Sequence, residues 1–198
     1  MEKSSMNQEG PESRKNCKNY RPAQFYTHAQ EILDNLPYII MTLLGAGLFL
    51  LGFNLSFWGW FAAGLYVFYS IAGTFWIIIF VCPYCFYYGT RTCPCGYGQI
   101  AAKLLPAQDG TRFMEKFKKN IPFVFPLWFV PLITGFLFLI RNYNTLMLII
   151  YIFFIINSFI ILPLLARKYG CAHCPQKEDC PWMGENFSLR LAHFLKHK

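Results

Sequence analysis

The sequence predicts an all-α integral membrane protein whose four transmembrane helices form two hairpins, each followed by a cysteine-rich loop on the cytoplasmic side. Three observations carry that reading: charge-free apolar runs, basic residues gathered on one side of them, and cysteines clustered where the runs end. Residues 35–90, 121–140 and 142–166 contain no Asp, Glu, Lys or Arg. A helix needs roughly 20 apolar residues to cross the hydrocarbon core, so the first run holds two spans and the others one each. A soluble bundle would show polar residues recurring on one face of each helix, and these runs show none.

In chain order, residues 1–20 read as a disordered polar tail with Cys17 isolated in it, and 21–35 as an amphipathic interfacial helix with Phe25, Ile32 and Leu36 toward lipid. The tail has no apolar core or small-residue cleavage site, so no cleaved signal peptide is expected. The first hairpin covers 36–81, with spans at 36–53 and 57–81 divided by the turn signature Asn54-Leu55-Ser56. A cysteine-rich loop follows at 82–120, ending in a basic amphipathic stretch with Phe113, Met114 and Phe117 among Arg112, Lys116, Lys118 and Lys119. The second hairpin covers 121–166, with spans at 121–140 and 145–166 turning around Arg141-Asn142-Tyr143-Asn144. The segment 167–198 carries the second cysteine cluster and a basic helix with Leu191, Phe194 and Leu195 among Arg190, Lys196 and Lys198. Basic amphipathic helices of this kind lie in the headgroup plane.

Of the 18 Lys and Arg, all but Arg141 fall in the tail, the middle loop and the C-terminal segment. Basic loops stay cytoplasmic, which predicts a multi-pass protein of the cell's inner membrane with both termini inside. The net charge of +8 then faces anionic lipid headgroups, and its spread over three segments beside spans argues against nucleic acid as a partner.

Seven of the eight cysteines form two clusters. The first is Cys82-Pro-Tyr-Cys85, then Cys93-Pro-Cys95; the second is Cys171-Ala-His173-Cys174, then Cys180. In a reducing compartment clustered cysteines point to metal ligation or redox chemistry rather than structural disulfides. A C-x2-C knuckle sets two sulfurs on one turn and a second pair completes four ligands, so Cys82, Cys85, Cys93 and Cys95 are predicted to hold one metal. Cys171, Cys174 and Cys180 are predicted to hold another, with the fourth ligand open among His173, Cys17, the first cluster or an outside molecule. His193 and His197, one turn apart, are explained by an exposed basic tail. Zinc is the common occupant of such pairs. Iron-sulfur clusters also take cysteine ligands, and Cys-Pro steps occur in ferredoxin-type runs; here Cys82, Cys93, Cys174 and Cys180 all precede Pro. Both metals stay open, with iron-sulfur preferred. The two hairpin-plus-cysteine units read as a pseudo-repeat that brings the clusters to one face. Tyr84, Phe86, Tyr87, Tyr88 and Tyr97 give the first site an aromatic surface that a quinone would suit, although aromatic belts are also ordinary interface anchors.

The Cys-Pro-Tyr-Cys tetrapeptide at 82–85 resembles the active-site motif of glutaredoxins. The resemblance covers four residues and implies thiol-disulfide exchange, but the βαβ pattern of that fold is missing here. Four-helix oxidoreductases resembling vitamin K epoxide reductase also use C-x2-C, with contact to the oxidising side. DHHC-type acyltransferases resemble the chain in having a cysteine-rich loop between the second and third spans; the Asp-His-His-Cys nucleophile is absent, and no His stands beside a cysteine there to activate it. The spans contain no ionisable residue of the kind that marks ion pathways, and Asn157-Ser158 reads as an interhelical hydrogen-bonding pair. The expected function is electron transfer between a soluble protein partner and a membrane carrier or partner subunit. A membrane scaffold or assembly protein folded by zinc is the alternative.

Overall fold

The computed structural model describes residues 26–171, and those residues contain helices and turns with no strand among them. Among the described residues four helices are long and apolar enough to cross a membrane. Between 17 and 33% of each one's most apolar window is buried, so large hydrophobics such as Phe68, Ile133, Phe136 and Phe153 face outward. That is the arrangement a lipid solvent permits and water does not.

Helix α1 (His28–Gly52) starts at a capping box. The Thr27 hydroxyl accepts from Gln30 N at 3.4 Å and Gln30 Oε1 accepts from Thr27 N at 2.9 Å, which satisfies two end donors. The expected interfacial helix and first span are thus continuous, with no break at the 35/36 boundary. Pro37 lies inside the helix, where it withholds one ladder donor. Ile32 and Leu36 are exposed; Phe25 lies outside the described residues. The chain turns through Asn54 and Leu55, both at positive φ, and returns as α2 (Phe57–Phe80). Cys82–Tyr84 forms a 3-10 turn with Pro83 in its first positions.

After the loop come α3 (Tyr97–Leu104) and α4 (Phe113–Asn120), which corresponds to the basic amphipathic stretch. Through a 3-10 turn at Ile121–Val124 the chain enters α5 (Pro126–Arg141). Asn144 caps α6 (Thr145–Ile155), its side chain accepting from Leu146 N and Met147 N. The last span is irregular: a π segment, Ile156–Ile161, precedes α7 (Leu162–Leu165), and a second π segment runs over Ala166–Cys171. Pro163 accounts for the first of these, because it cannot donate and its ring crowds the preceding turn.

Helix α1 is the hub, packed against α2, α5, α6 and the first π segment. Its buried face of Met41, Leu48 and Phe49 meets Tyr66, Leu127, Met147 and Phe154. Close approach rests on small residues: a Cβ on Gly45 would stand 2.5 Å from the Tyr66 ring, and one on Gly135 2.9 Å from Tyr151. Tyr66 Oη donates to Leu127 O at 2.8 Å. The hydroxyls of Tyr38, Thr42 and Ser70 form one cluster between α1 and α2, with Thr42 Oγ1 2.8 Å from Ser70 Oγ. Asn157 Nδ2 donates to Pro37 O at 2.8 Å, so the interhelical hydrogen bond expected of Asn157 ties the two irregular helices together. Its neighbour Ser158 is fully buried with no partner for Oγ.

Candidate thiolate site

The first cysteine cluster sits where α2 ends and α3 folds back on it. Ile78, Cys82, Tyr88 and Ala101 form a small core that seats α3 against the end of α2. The connecting loop closes on itself through Gly89 N donating to Gly98 O at 3.1 Å. Two of its glycines are required. Gly96 caps α3 at φ 74, a left-handed conformation costly for other residues, and a Cβ on Gly98 would lie 2.5 Å from Tyr87 O.

Among the described residues these four cysteines form no disulfide. Cys82 and Cys93 are buried; Cys85 and Cys95 are partly buried. Cys93 is the electrostatic centre. Its Sγ accepts a hydrogen bond from the Cys95 thiol, and the backbone N–H groups of Gly98, Cys95 and Gly96 also point at it, with Gly98 N at 3.4 Å. The Cys95 thiol acts first and the N–H cradle adds to it against burial, so Cys93 is lowered to about 7. Cys95 moves the opposite way, raised well above the ordinary thiol range. It is the donor to Cys93, burial disfavours its charged form, and the negative charges of Cys93 and Asp34 are near it. The two sulfurs titrate as one coupled pair, in which the first proton leaves near neutral pH and the second is retained.

Helix α1 clamps the loop from the other side. Tyr26 N donates to Arg91 O at 3.0 Å, Asn35 Nδ2 to Cys95 O at 3.1 Å, and Gln99 Nε2 to Glu31 Oε1 at 3.0 Å. The Glu31 carboxylate lies directly against Gly96. Tyr97 is the bridge into the membrane: its hydroxyl bonds Thr74 on α2, while burial first and then the neighbouring Cys95 push it above its ordinary value.

Cys93 and Cys95 are paired, and Cys82 is near enough to Cys95 to act on it electrostatically. Among the described residues, however, no group of three Cys, His, Asp or Glu side chains is arranged to hold a metal ion. The donor chemistry fits a thiophilic metal and the cradle is built for a thiolate, yet a finished four-sulfur shell from this loop is not present. For the second cluster, Cys171 ends the last π segment; Cys174 and Cys180, with Cys17, His173, His193 and His197, lie outside the described residues. Of the five rings expected to offer an aromatic surface, Tyr87 and Tyr88 are buried, and the Tyr88 hydroxyl bonds Leu105 O.

The cysteine motif pointed to the loop but not to its α1 partners. Glu31, Asp34 and Asn35 share one helical face at i, i+3 and i+4, and that polar stripe just ahead of an apolar span was the available signal.

In comparisons with protein-family models, with curated proteins and with solved structures, nothing matches this chain. Fold and sequence together define its class on their own: a helical protein with four helices able to cross a membrane among its described residues and a cysteine-rich loop at the end of the second.

Proposed function

We propose that this protein binds a metal centre through cysteine thiolates on the cytoplasmic face of the inner membrane and uses it for electron transfer. The observation that carries this reading is the backbone cradle on Cys93, because N–H groups aimed at one sulfur stabilise the anionic form that a metal takes. Cys82, Cys93 and Cys95 are the ligands from the first loop. Cys85, Cys171, Cys174 and Cys180 supply the remainder, which fits a loop that lacks a finished shell by itself. An iron-sulfur centre there would supply one-electron chemistry. The two hairpin units act as a pseudo-repeat that brings the second cluster to the same face, and the basic inner surface receives a soluble protein donor. The acceptor is a quinone or a partner subunit. A zinc-folded scaffold uses the same ligands without the redox step.

Anaerobic purification separates these readings. Visible colour with acid-labile sulfide is expected, and its loss in Cys93→Ser is expected with it. A colourless protein with stoichiometric zinc removes electron transfer and leaves the scaffold. A colourless, metal-free protein removes both.

A second reading has its own observation. The Cys93–Cys95 hydrogen bond joins a thiol of lowered pKa to one of raised pKa, the asymmetry of an exchanging dithiol. Stoichiometric, reversible Cys93–Cys95 disulfide formation in the metal-free protein, with a defined potential, is its test.

A further inference from the structure

We infer that the cavity between the end of α2 and α4 binds the phosphate headgroup of an anionic phospholipid drawn from the surrounding leaflet. The cavity measures about 480 Å³ and has a two-sided lining. One side is apolar, with Trp76, Ile79, Phe80 and Leu105; the other carries Lys116 and Lys119, with no acidic residue in the lining. Lys116 and Lys119 are one turn apart on α4, so their ammonium groups reach the same side.

The walls are held in place before any ligand arrives. Trp76 Nε1 donates to Asn120 Oδ1 at 3.2 Å, Asn120 Nδ2 to Lys116 O at 2.7 Å, and Gln108 N to Pro83 O at 2.9 Å. Trp76 also stacks on Phe123 at 4.4 Å between ring centroids, which fixes the indole at the mouth of α5. Lys116 Nζ is held 5.5 Å from the centre of the Tyr84 ring. Glu115, the nearby carboxylate, pairs with Arg112 at 3.3 Å and feels Lys116 and Lys119 only secondarily.

Depth and charge select the occupant. Trp76 is in the last turns of a membrane-crossing helix, and Lys116 and Lys119 lie on α4 just ahead of the charge-free run 121–140, so the cavity opens at headgroup level. A zwitterionic headgroup offers the same phosphate but brings its own cation against Lys116 and Lys119, where like charges repel, whereas an anionic headgroup brings no such cation. A free inorganic ion would leave that wall uncovered, whereas acyl chains continue along Ile79 and Phe80. This inference does not depend on the cysteines, so it stands or falls separately from the metal centre.

The test uses the full chain in vesicles of phosphatidylcholine doped with either brominated phosphatidylglycerol or brominated phosphatidylcholine. Trp76 quenching is read as the difference between the wild type and Trp76→Phe. The brominated anionic lipid is expected to act at a dose lower on the order of tenfold, from two lysines near the surface. Lys116→Gln/Lys119→Gln should abolish that preference, Lys116→Arg/Lys119→Arg should keep it, and Lys103→Gln, outside the cavity, should leave it unchanged. Equal quenching by both lipids overturns the inference. Displacement of the anionic lipid by inorganic phosphate alone also overturns it, as does a preference that survives in the Gln pair.

Discussion

Asn35 donates its side-chain amide to the carbonyl of Cys95 at 3.1 Å, across 60 residues of sequence. The same amide donates to Glu31 O at 2.8 Å. One residue at the head of the first membrane helix therefore fixes the backbone at the cysteine that donates to Cys93. Asn35→Ala leaves the Cys95 carbonyl without this donor at a cost of about 1 to 2 kcal/mol. Maleimide labelling of Cys95 should accelerate several-fold, by about tenfold if the full cost appears in local opening. Asn142→Ala, in the opposite turn, should leave the labelling rate unchanged.

Gly96 couples the backbone to that pair. A side chain there meets a left-handed φ of 74 and stands 3.4 Å from Glu31 Oε2. Gly96→Ala should destabilise the protein by about 1 to 2 kcal/mol. Its more specific consequence is electrostatic. The Gly96 N–H helps to hold the Cys93 thiolate, so the pH midpoint for Cys93 alkylation should rise in Gly96→Ala. An unshifted midpoint would show that the cradle does not act on Cys93.

The shared proton of Cys93 and Cys95 predicts a stability profile with two limbs. Cys93 is depressed to about 7 in the fold. Its contribution is therefore complete above the unfolded thiol value of about 8.5 and is lost as pH falls through about 7. Cys95 is raised, so its contribution is present below about 8.5 and declines as pH rises above that value. Thermal midpoints of the metal-free protein should climb from pH 6 to a maximum around pH 8 to 9 and then fall, within the window those thiol values set. In Cys95→Ala the Cys93 midpoint should move up toward about 8.5 and the alkaline decline should vanish. A flat profile in the wild type would remove the coupling.

Much of the fold was legible because membrane spans are written in charge-free length. The turn at Asn54-Leu55-Ser56 and the start of the last span at Thr145 occur where the sequence indicates them. What the sequence hid has physical causes. Thr27 and Gln30 form a capping box early enough to extend α1 through the interfacial segment, and a helix once nucleated continues through Pro37 when tertiary contacts hold it. The first π segment places Asn157 so that its side chain reaches Pro37 O on α1, a pairing across 120 residues that no local pattern encodes. At the site, spacing brought Cys82, Cys85, Cys93 and Cys95 forward. Glu31, Asp34 and Asn35 remained hidden because their roles arise from contact with a loop sixty residues later.

Asn157 and Ser158 make the last prediction, because adjacent buried polar residues in one π segment should respond with opposite signs. Asn157 Nδ2 bonds Pro37 O at 2.8 Å. An interhelical bond of this kind within a membrane protein is worth about 0.6 kcal/mol and rarely above about 1.7. Asn157→Leu, which keeps the volume and removes the donor, should lower the stability in detergent by that amount and the thermal midpoint with it. Ser158 Oγ is buried without a partner, and an unsatisfied hydroxyl carries a desolvation cost of about 1 to 3 kcal/mol. Ser158→Ala removes the hydroxyl and should be neutral or stabilising, with the small side chain still fitting the close contact. Destabilisation by Ser158→Ala exceeding that of Asn157→Leu would mean that Ser158 has a bonding partner in the membrane and that the π segment is organised around it.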